Sequence, residues 1–287
     1  MIYGAIIGDV VGSRFEHDKG TKTKRFDLFS SNCKFTDDTV LTIAVANAIM
    51  DYYETISKSI LSESNITDNY KRIIKLVIDN LKKFGNLYLN VGYGKGFKSW
   101  LNDPLSNPYN SYGNGSAMRC SICGWICDSI ESTKLLAELT AIVTHNHPEG
   151  IKGAQAVATA IYMARNAYSK NDIKNYIQKE FNYNLDRTLA EIRPTYSHKS
   201  SCQESVPEAI ICFLESKDFE DAIRNAISIG GDTDTIACIA GSIAEAFGHV
   251  PYKFIIESSK YLDINLNNAL MSIECRNPNY NIKKYKY

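Results

Sequence analysis

An all-α fold, arranged as a single compact multi-helix domain over residues 1–287, is what this 287-residue chain predicts. Three observations carry that reading. Apolar side chains recur at three- and four-residue intervals in segment after segment, the period of a helix facing a core. Strand-like alternation bounded by turn residues is hard to find in the sequence. No polar linker is long enough to mark a domain boundary, and no repeat of fixed period interrupts the pattern. The length suffices for one substantial core. Hydrophobic residues at 44% and charged residues at 22% give a globular balance and exclude a disordered chain.

Taken in order, the first element is apolar and rich in small residues (MIYGAIIGDVVGS, 1–13), with Gly4, Gly8 and Gly12 aligned on one helix face. Such a face lets a second helix approach closely. Asp9 interrupts the apolar run, so the segment is too short for a membrane span, and without a basic start it is no secretory signal. A cytoplasmic protein with no membrane contact is the expectation. A carboxylate inside a tightly packed apolar helix must find hydrogen-bond donors or a cation. Helices are then expected over 39–50, 70–83, 134–143, 150–166, 218–229 and 235–247, each from its apolar period. Glycine, asparagine and proline mark long loops at 85–115 and 191–207, and a peripheral tail at about 275–287.

Composition narrows the chemistry. Lys plus Arg and Asp plus Glu are 32 each, so no basic surplus advertises a nucleic-acid partner. Eight cysteines without a secretory signal read as reduced thiols. Cys120, Cys123 and Cys127 in CSICGWIC fall on one helical stripe among apolar residues and read as core packing.

Four polar segments remain. KFTDDTV (34–40) and GGDTDTIA (230–237) each pack two aspartates and flanking threonines into one helical turn before a very apolar helix. Singly, each is a helix start, with Thr36 or Asp232 as cap and the acids complementing the positive end. Together, Asp37, Asp38, Asp232 and Asp234 would repel one another unless cations neutralised them. Oxygen ligands alone favour Mg²⁺ or Mn²⁺, then Ca²⁺, over zinc. SYGNGSAMR (111–119) is a glycine-asparagine loop leading into a helix, a geometry able to cradle phosphate and equally that of a plain turn. THNHPEG (144–150) offers His145 and His147 as a zinc pair with Glu149 as base, but no third His or Cys ligand is near in sequence. A histidine that hydrogen-bonds a polar ligand fits it better.

GAIIGDVVGSRFE, FTDDT, SYGNGSAMR, THNHPEG and GGDTDT, in this order from residue 4 to about residue 250, resemble the ADP-ribosylglycohydrolases, the dinitrogenase-reductase-activating glycohydrolase group. The resemblance implies an all-α domain with two Mg²⁺ in a central cleft, Mn²⁺ being a possible substitute, and hydrolysis of the bond between C1″ of ADP-ribose and an acceptor. It implies Thr36, Asp37 and Asp38 as one ligand cluster and Asp232, Asp234 and Thr235 as the other. Ser111, Tyr112, Gly113, Asn114 and Gly115 match the loop that holds diphosphate and distal ribose, and His145 a histidine beside that ribose. Glu16 falls where the serine-specific branch carries a mobile catalytic glutamate, whereas arginine-specific members rely on the TDD aspartates, which keeps Asp37 a second acid/base candidate. CQESVPEAI (202–210) also fits the family pattern, without a role. The implied partner is an ADP-ribosylated protein or another ADP-ribosyl conjugate. Arginine, serine, a nucleobase, an ester or a small nucleotide all remain candidate acceptors. The rival reading is a non-catalytic, metal-dependent ADP-ribose-binding protein, against which the intact Glu16 and the six ligand positions stand.

Overall fold

The structure is a computed structural model that describes residues 1–16, 20–56 and 61–276. Among the described residues it is built of helices, with two isolated bridges and no strand ladder. In chain order these are α1 (Tyr3–Gly12), α2 (Asp37–Thr55), α3 (Glu63–Asp68), α4 (Tyr70–Leu87), α5 (Lys95–Asn102), α6 (Gly115–Met118), α7 (Ser121–Ile126) and α8 (Ile130–Ala141). There follow α9 (Pro148–Arg165), α10 (Lys170–Phe181), α11 (Leu189–Ile192), α12 (Cys202–Leu214), α13 (Phe219–Ile229), α14 (Thr233–Phe247), α15 (Tyr252–Ser259) and α16 (Ile264–Arg276). All pack around one continuous apolar core.

At the centre α14 is buried along almost its whole length and is touched by α1, α9, α12 and α13. The glycine stripe of α1 decides how closely the two helices come. A Cβ at Gly4 would lie 2.1 Å from the Gly241 carbonyl oxygen, one at Gly8 2.1 Å from that of Ala237, and one at Gly12 2.5 Å from that of Thr233. Only glycine permits backbones this close. The matching runs in opposite directions along the two helices, so α1 and α14 are antiparallel and the C-terminal end of α1 meets the N-terminal end of α14. Thr233 Oγ1 donates to the Gly12 carbonyl at 2.9 Å and closes that joint.

Helices extend beyond the stretches their apolar period marks. The second begins at Asp37 and the fourteenth at Thr233, so the acidic residues belong to the first turns. Two expected loops are partly helical: α5 lies inside 85–115, and the end of α11 and the start of α12 lie inside 191–207. Gly96 in α5 is seated against the Tyr109 ring, and α12 continues through Pro207 because the burial of its apolar residues outweighs one lost backbone bond. The tail from 277 onward is outside the described residues, whereas 275 and 276 close α16. All eight cysteines are free and only Cys275 is exposed; Cys120, Cys123 and Cys127 are packed in the core. No described helix is long and apolar enough to cross a membrane.

Candidate active site

The start of α2 is organised by Asp9. Its carboxylate, wholly buried on α1, accepts hydrogen bonds from Thr36 N (2.9 Å), Thr36 Oγ1 (2.6 Å), Thr39 N (3.0 Å) and Thr39 Oγ1. Two of these are orphan amides at a helix N-terminus, so Asp9 caps α2 from another helix. Burial pushes the Asp9 pKa up while these four donors pull it down. Thr36 also caps from within the chain, its Oγ1 accepting from Asp38 N at 3.3 Å. With the amides satisfied by Asp9, Thr36 and, for Asp37 N, the Val91 carbonyl at 3.1 Å, the carboxylates of Asp37 and Asp38 are left for other work.

The start of α14 lies opposite. Asp232 occupies the N-cap position without capping through its side chain; its carboxylate instead accepts from Asn114 Nδ2 at 2.8 Å. This corrects the expectation that Asp232 is an ordinary cap. Gly230 and Gly231 before it have φ of +76° and +82°, a backbone that favours glycine and turns the chain sharply into the site. Thr235 Oγ1 donates to Asp38 Oδ2 at 3.3 Å, so the two helix starts touch.

The result is a nest of buried acids. One oxygen each from Asp9, Asp38 and Asp234 lie within 4.8 Å of one another, and so do oxygens from Glu16, Asp232 and Asp234. Burial first, and then neighbouring carboxylates, push Asp38 and Asp234 well above the usual range and Asp37 up to about 8. Asp38 Oδ1 is buried without a hydrogen-bond partner. An orphaned carboxylate oxygen among crowded acids with hydroxyls beside them is the donor set a hard cation takes. Asp9 is close enough to share it, but its oxygens are already occupied by four donors, which makes it the support of the cluster.

These residues line a cleft of about 590 Å³, within the range of small-molecule sites. The cleft gathers Glu16, Thr36, Asp37, Asp38, Ser111, Gly113, Asn114, Gly115, His145, Asp232, Asp234 and Thr235 from segments up to two hundred residues apart. Tyr112 is different: its side chain is half exposed and packs edge-on against His147, ring centroids 5.3 Å apart, while its carbonyl accepts from Cys202 N at 2.9 Å. That contact gives CQESVPEAI a structural place. Asn114 N donates to the Ser200 carbonyl at 2.8 Å and Cys202 Sγ to the Gly113 carbonyl at 3.1 Å, so the head of α12 stitches the glycine loop from behind.

The zinc pair is not assembled. His147 caps α9, its Nδ1 accepting from Glu149 N at 3.1 Å, and Glu149 pairs with Lys152 at 2.8 Å. Among the described residues, the groups close enough to share a cation are all carboxylates. Sequence reasoning also missed several lining residues: Lys34, Asn90, Gly92, Tyr109, Arg119 and His198. The positive φ of Gly92 (+114°), which brings it beside the Asp37 carboxylate, is the one local signal that a glycine-rich NVGYGKG segment offered.

Comparison with known proteins finds relatives along most of the chain. Human ADP-ribosylhydrolase ARH3 is 27% identical over 85% of this chain and 83% of its own length, and the Xenopus tropicalis protein of that name 25% over 96% and 95%. The putative ADP-ribosyl glycohydrolase L543 of Acanthamoeba polyphaga mimivirus is 25% identical over 93% and 89%. A solved structure of an ADP-ribosylglycohydrolase-related protein complex shares the fold, with a TM-score of 0.65 over 94% of this chain and 93% of that one, at 16% identity. The sequence family described as ADP-ribosylglycohydrolase matches residues 1–250, which holds every residue of the cleft. The chain therefore belongs to the ADP-ribosylglycohydrolase family, and is a hydrolase of ADP-ribosyl linkages.

Proposed function

We propose that this protein removes ADP-ribose from a modified acceptor, a protein side chain foremost, by hydrolysing the bond at C1″ with the help of two Mg²⁺ ions, Mn²⁺ being able to replace them. The observation that carries the reading is the convergence of two acid-bearing helix starts, one at Asp37 and one at Asp232, in a single cleft with the glycine loop and His145. Thr36, Asp37 and Asp38 on one side, and Asp232, Asp234 and Thr235 on the other, would hold the ions. Ions held there would neutralise the acids and supply Lewis acidity to a ribose diol in the cleft.

The chain's own residues account for the rest. Ser111, Gly113 and Gly115, held from behind by Ser200 and Cys202, receive the diphosphate side of the ligand, and His145 adds a hydrogen-bond donor beside them. Rupture of the C1″–acceptor bond passes through an oxocarbenium-like state, which the surrounding carboxylates stabilise. A carboxylic acid gives its proton to the departing acceptor. The same group then takes a proton from the water that adds to C1″, and the products are ADP-ribose and the free acceptor. Glu16, half-buried at the cleft wall, and Asp37, in the first turn of α2 in the same cleft, are the two groups with the position for it.

The test is a panel of ADP-ribosylated acceptors (arginine, serine, nucleobase and ester linkages) assayed with Mg²⁺ for free ADP-ribose by chromatography. Release from at least one acceptor, abolished by chelator, is expected. Whichever of Glu16→Gln and Asp37→Asn lowers kcat by about 10²–10⁴ while its Mg²⁺ affinity, measured beside it, is retained identifies the acid/base. Undiminished release in excess chelator would refute the metal assignment. Tight binding of ADP-ribose with no release from any acceptor would make the protein a binding module.

A further inference from the structure

His145 lies in the connection between α8 and α9 and is 5% exposed. Its Nε2 faces the glycine loop: a Cβ at Gly115 would stand 3.3 Å from that nitrogen and one at Gly113 3.6 Å. Its Nδ1 points the other way and meets Thr144 Oγ1 at 2.7 Å. The same hydroxyl lies 2.7 Å from Arg119 Nη2, which also reaches the Thr140 carbonyl at 3.2 Å. Arg119 is fully buried, and among the described residues it forms no ion pair with any carboxylate. A buried arginine without a counter-ion is costly and calls for a reason.

Donor and acceptor chemistry supplies one. A guanidinium has only N–H donors, so Thr144 Oγ1 accepts from Arg119. The hydroxyl has a second lone pair, but its own proton has no acceptor among the described residues other than Nδ1, so it goes to Nδ1 and Nδ1 accepts it. A neutral imidazole carries one proton, and with Nδ1 accepting, that proton sits on Nε2. Burial, reinforced by the Arg119 charge, holds the His145 pKa well below its ordinary value, so the ring is neutral. Burial brings Arg119 itself down to about 10, which leaves it charged at neutral pH and the direction of the relay unchanged.

We propose that Arg119 and Thr144 are positioning residues that lock His145 as its Nε2–H tautomer, so that it presents a fixed, neutral donor to an oxygen of the ADP-ribosyl group at the glycine loop. Thr144 is the switchable element, because valine matches its shape without the hydroxyl and serine keeps the hydroxyl without the methyl. The role in turnover rests on the hydrolase reading above; the tautomer does not, since it is a property of the unliganded protein.

The experiment therefore has two readouts. Long-range ¹H–¹⁵N NMR of histidine-labelled protein, without ligand, reports the tautomer of His145. Steady-state kinetics on the acceptor that the panel identifies, with ADP-ribose titration beside it, reports the function. The wild-type protein is expected to show the Nε2–H form. Thr144→Val is expected to lose that single tautomer, raise KM and the ADP-ribose Kd about tenfold, and leave kcat within about threefold. Thr144→Ser is expected to restore all three, and Arg119→Lys, with one ammonium for two acceptors, to fall between. An Nδ1–H ring in the wild type, or a Thr144→Val protein with unaltered tautomer and KM, overturns the relay. Equal damage from Thr144→Ser and Thr144→Val also overturns it, since packing would then be the cause. A wild-type protein that releases no ADP-ribose fails the hydrolase reading instead, and the NMR result still decides the relay.

Discussion

Aspartates at the start of α2 and around the start of α14 line the same cleft, but the first start is braced by a set of side-chain hydrogen bonds and the second mainly by backbone contact. At α2, Asp9, Thr36 and the Val91 carbonyl together satisfy the terminal amides, and the brace is polar, directional and supplied largely by a neighbouring helix. At α14, the N-cap side chain is turned away to Asn114, and what holds the end is the close approach of Gly8 and Gly12 to Ala237, Thr233 and Asp234, closed by the one hydrogen bond from Thr233 Oγ1 to the Gly12 carbonyl. The common member is α1, which carries Asp9 and the glycine stripe on one ten-residue helix. One element thus sets both halves of the acid cluster, and its position fixes the separation between them.

The largest effect should come from the contact that has no flexible side chain to yield. Gly8→Ala places a methyl carbon 2.1 Å from the Ala237 carbonyl oxygen and 2.3 Å from its carbon, both backbone atoms. A loss of about 3 kcal/mol is expected, read as a fall in Tm of several degrees. The shift should carry Asp234 away from Asp38, so cation affinity should fall with stability. If Gly8→Ala melts like the wild type, the backbone brace at α14 is not what holds that end.

How much of this was visible beforehand follows from the range of each interaction. The glycine stripe and the two acidic starts were legible because they are local patterns whose meaning is fixed by 3.6-residue geometry. Asp9 was visibly misplaced in an apolar helix, but its four donors lie 27 and 30 residues along the chain, and no local pattern names them. Arg119 looked like the last residue of a loop motif; its burial depends on Thr140 and Thr144 arriving from α8 and beyond. Tyr112 was grouped with the glycine loop by motif, but only its backbone serves that loop, because the side chain turns outward to His147. Glycine and proline obscured α5 and α12, where burial overrides propensity.

A smaller effect should follow from loosening the polar tether on the α14 side. Asn114→Ala removes the Nδ2 donor from Asp232 and leaves the helix contacts untouched. Groups that orient ligating carboxylates are worth about 10–100-fold in metal affinity. Calorimetric titration with Mg²⁺ should therefore show a weaker cation site at nearly unchanged Tm, the reverse of the balance in Gly8→Ala. A variant that loses stability and keeps its cation affinity would show that Asn114 is a packing residue.

The finest discrimination comes from the pH dependence of a cation-induced shift in Tm, which probes both helix starts at once. Asp9, Asp37, Asp38 and Asp234 all have pKa values raised by burial and then, for the last three, by neighbouring carboxylates of the cluster, Asp9 and Asp232 foremost. A raised pKa means the folded, cation-free protein binds more protons than the unfolded chain between the ordinary carboxylate value and, for Asp37, about 8. The linkage relation then makes stability fall as pH rises through that window. A divalent cation that replaces those protons must compete with them at low pH and not at high pH. Saturating Mg²⁺ should therefore raise Tm by about 5–10 °C near pH 8 and by much less near pH 5. Gly8→Ala should flatten that pH dependence, because acids moved apart no longer raise each other's pKa values, whereas Asn114→Ala should keep its slope. An Mg²⁺ shift in Tm that is the same at both pH values would mean that the ion binds away from the buried acids, and that the two helix starts do not share it.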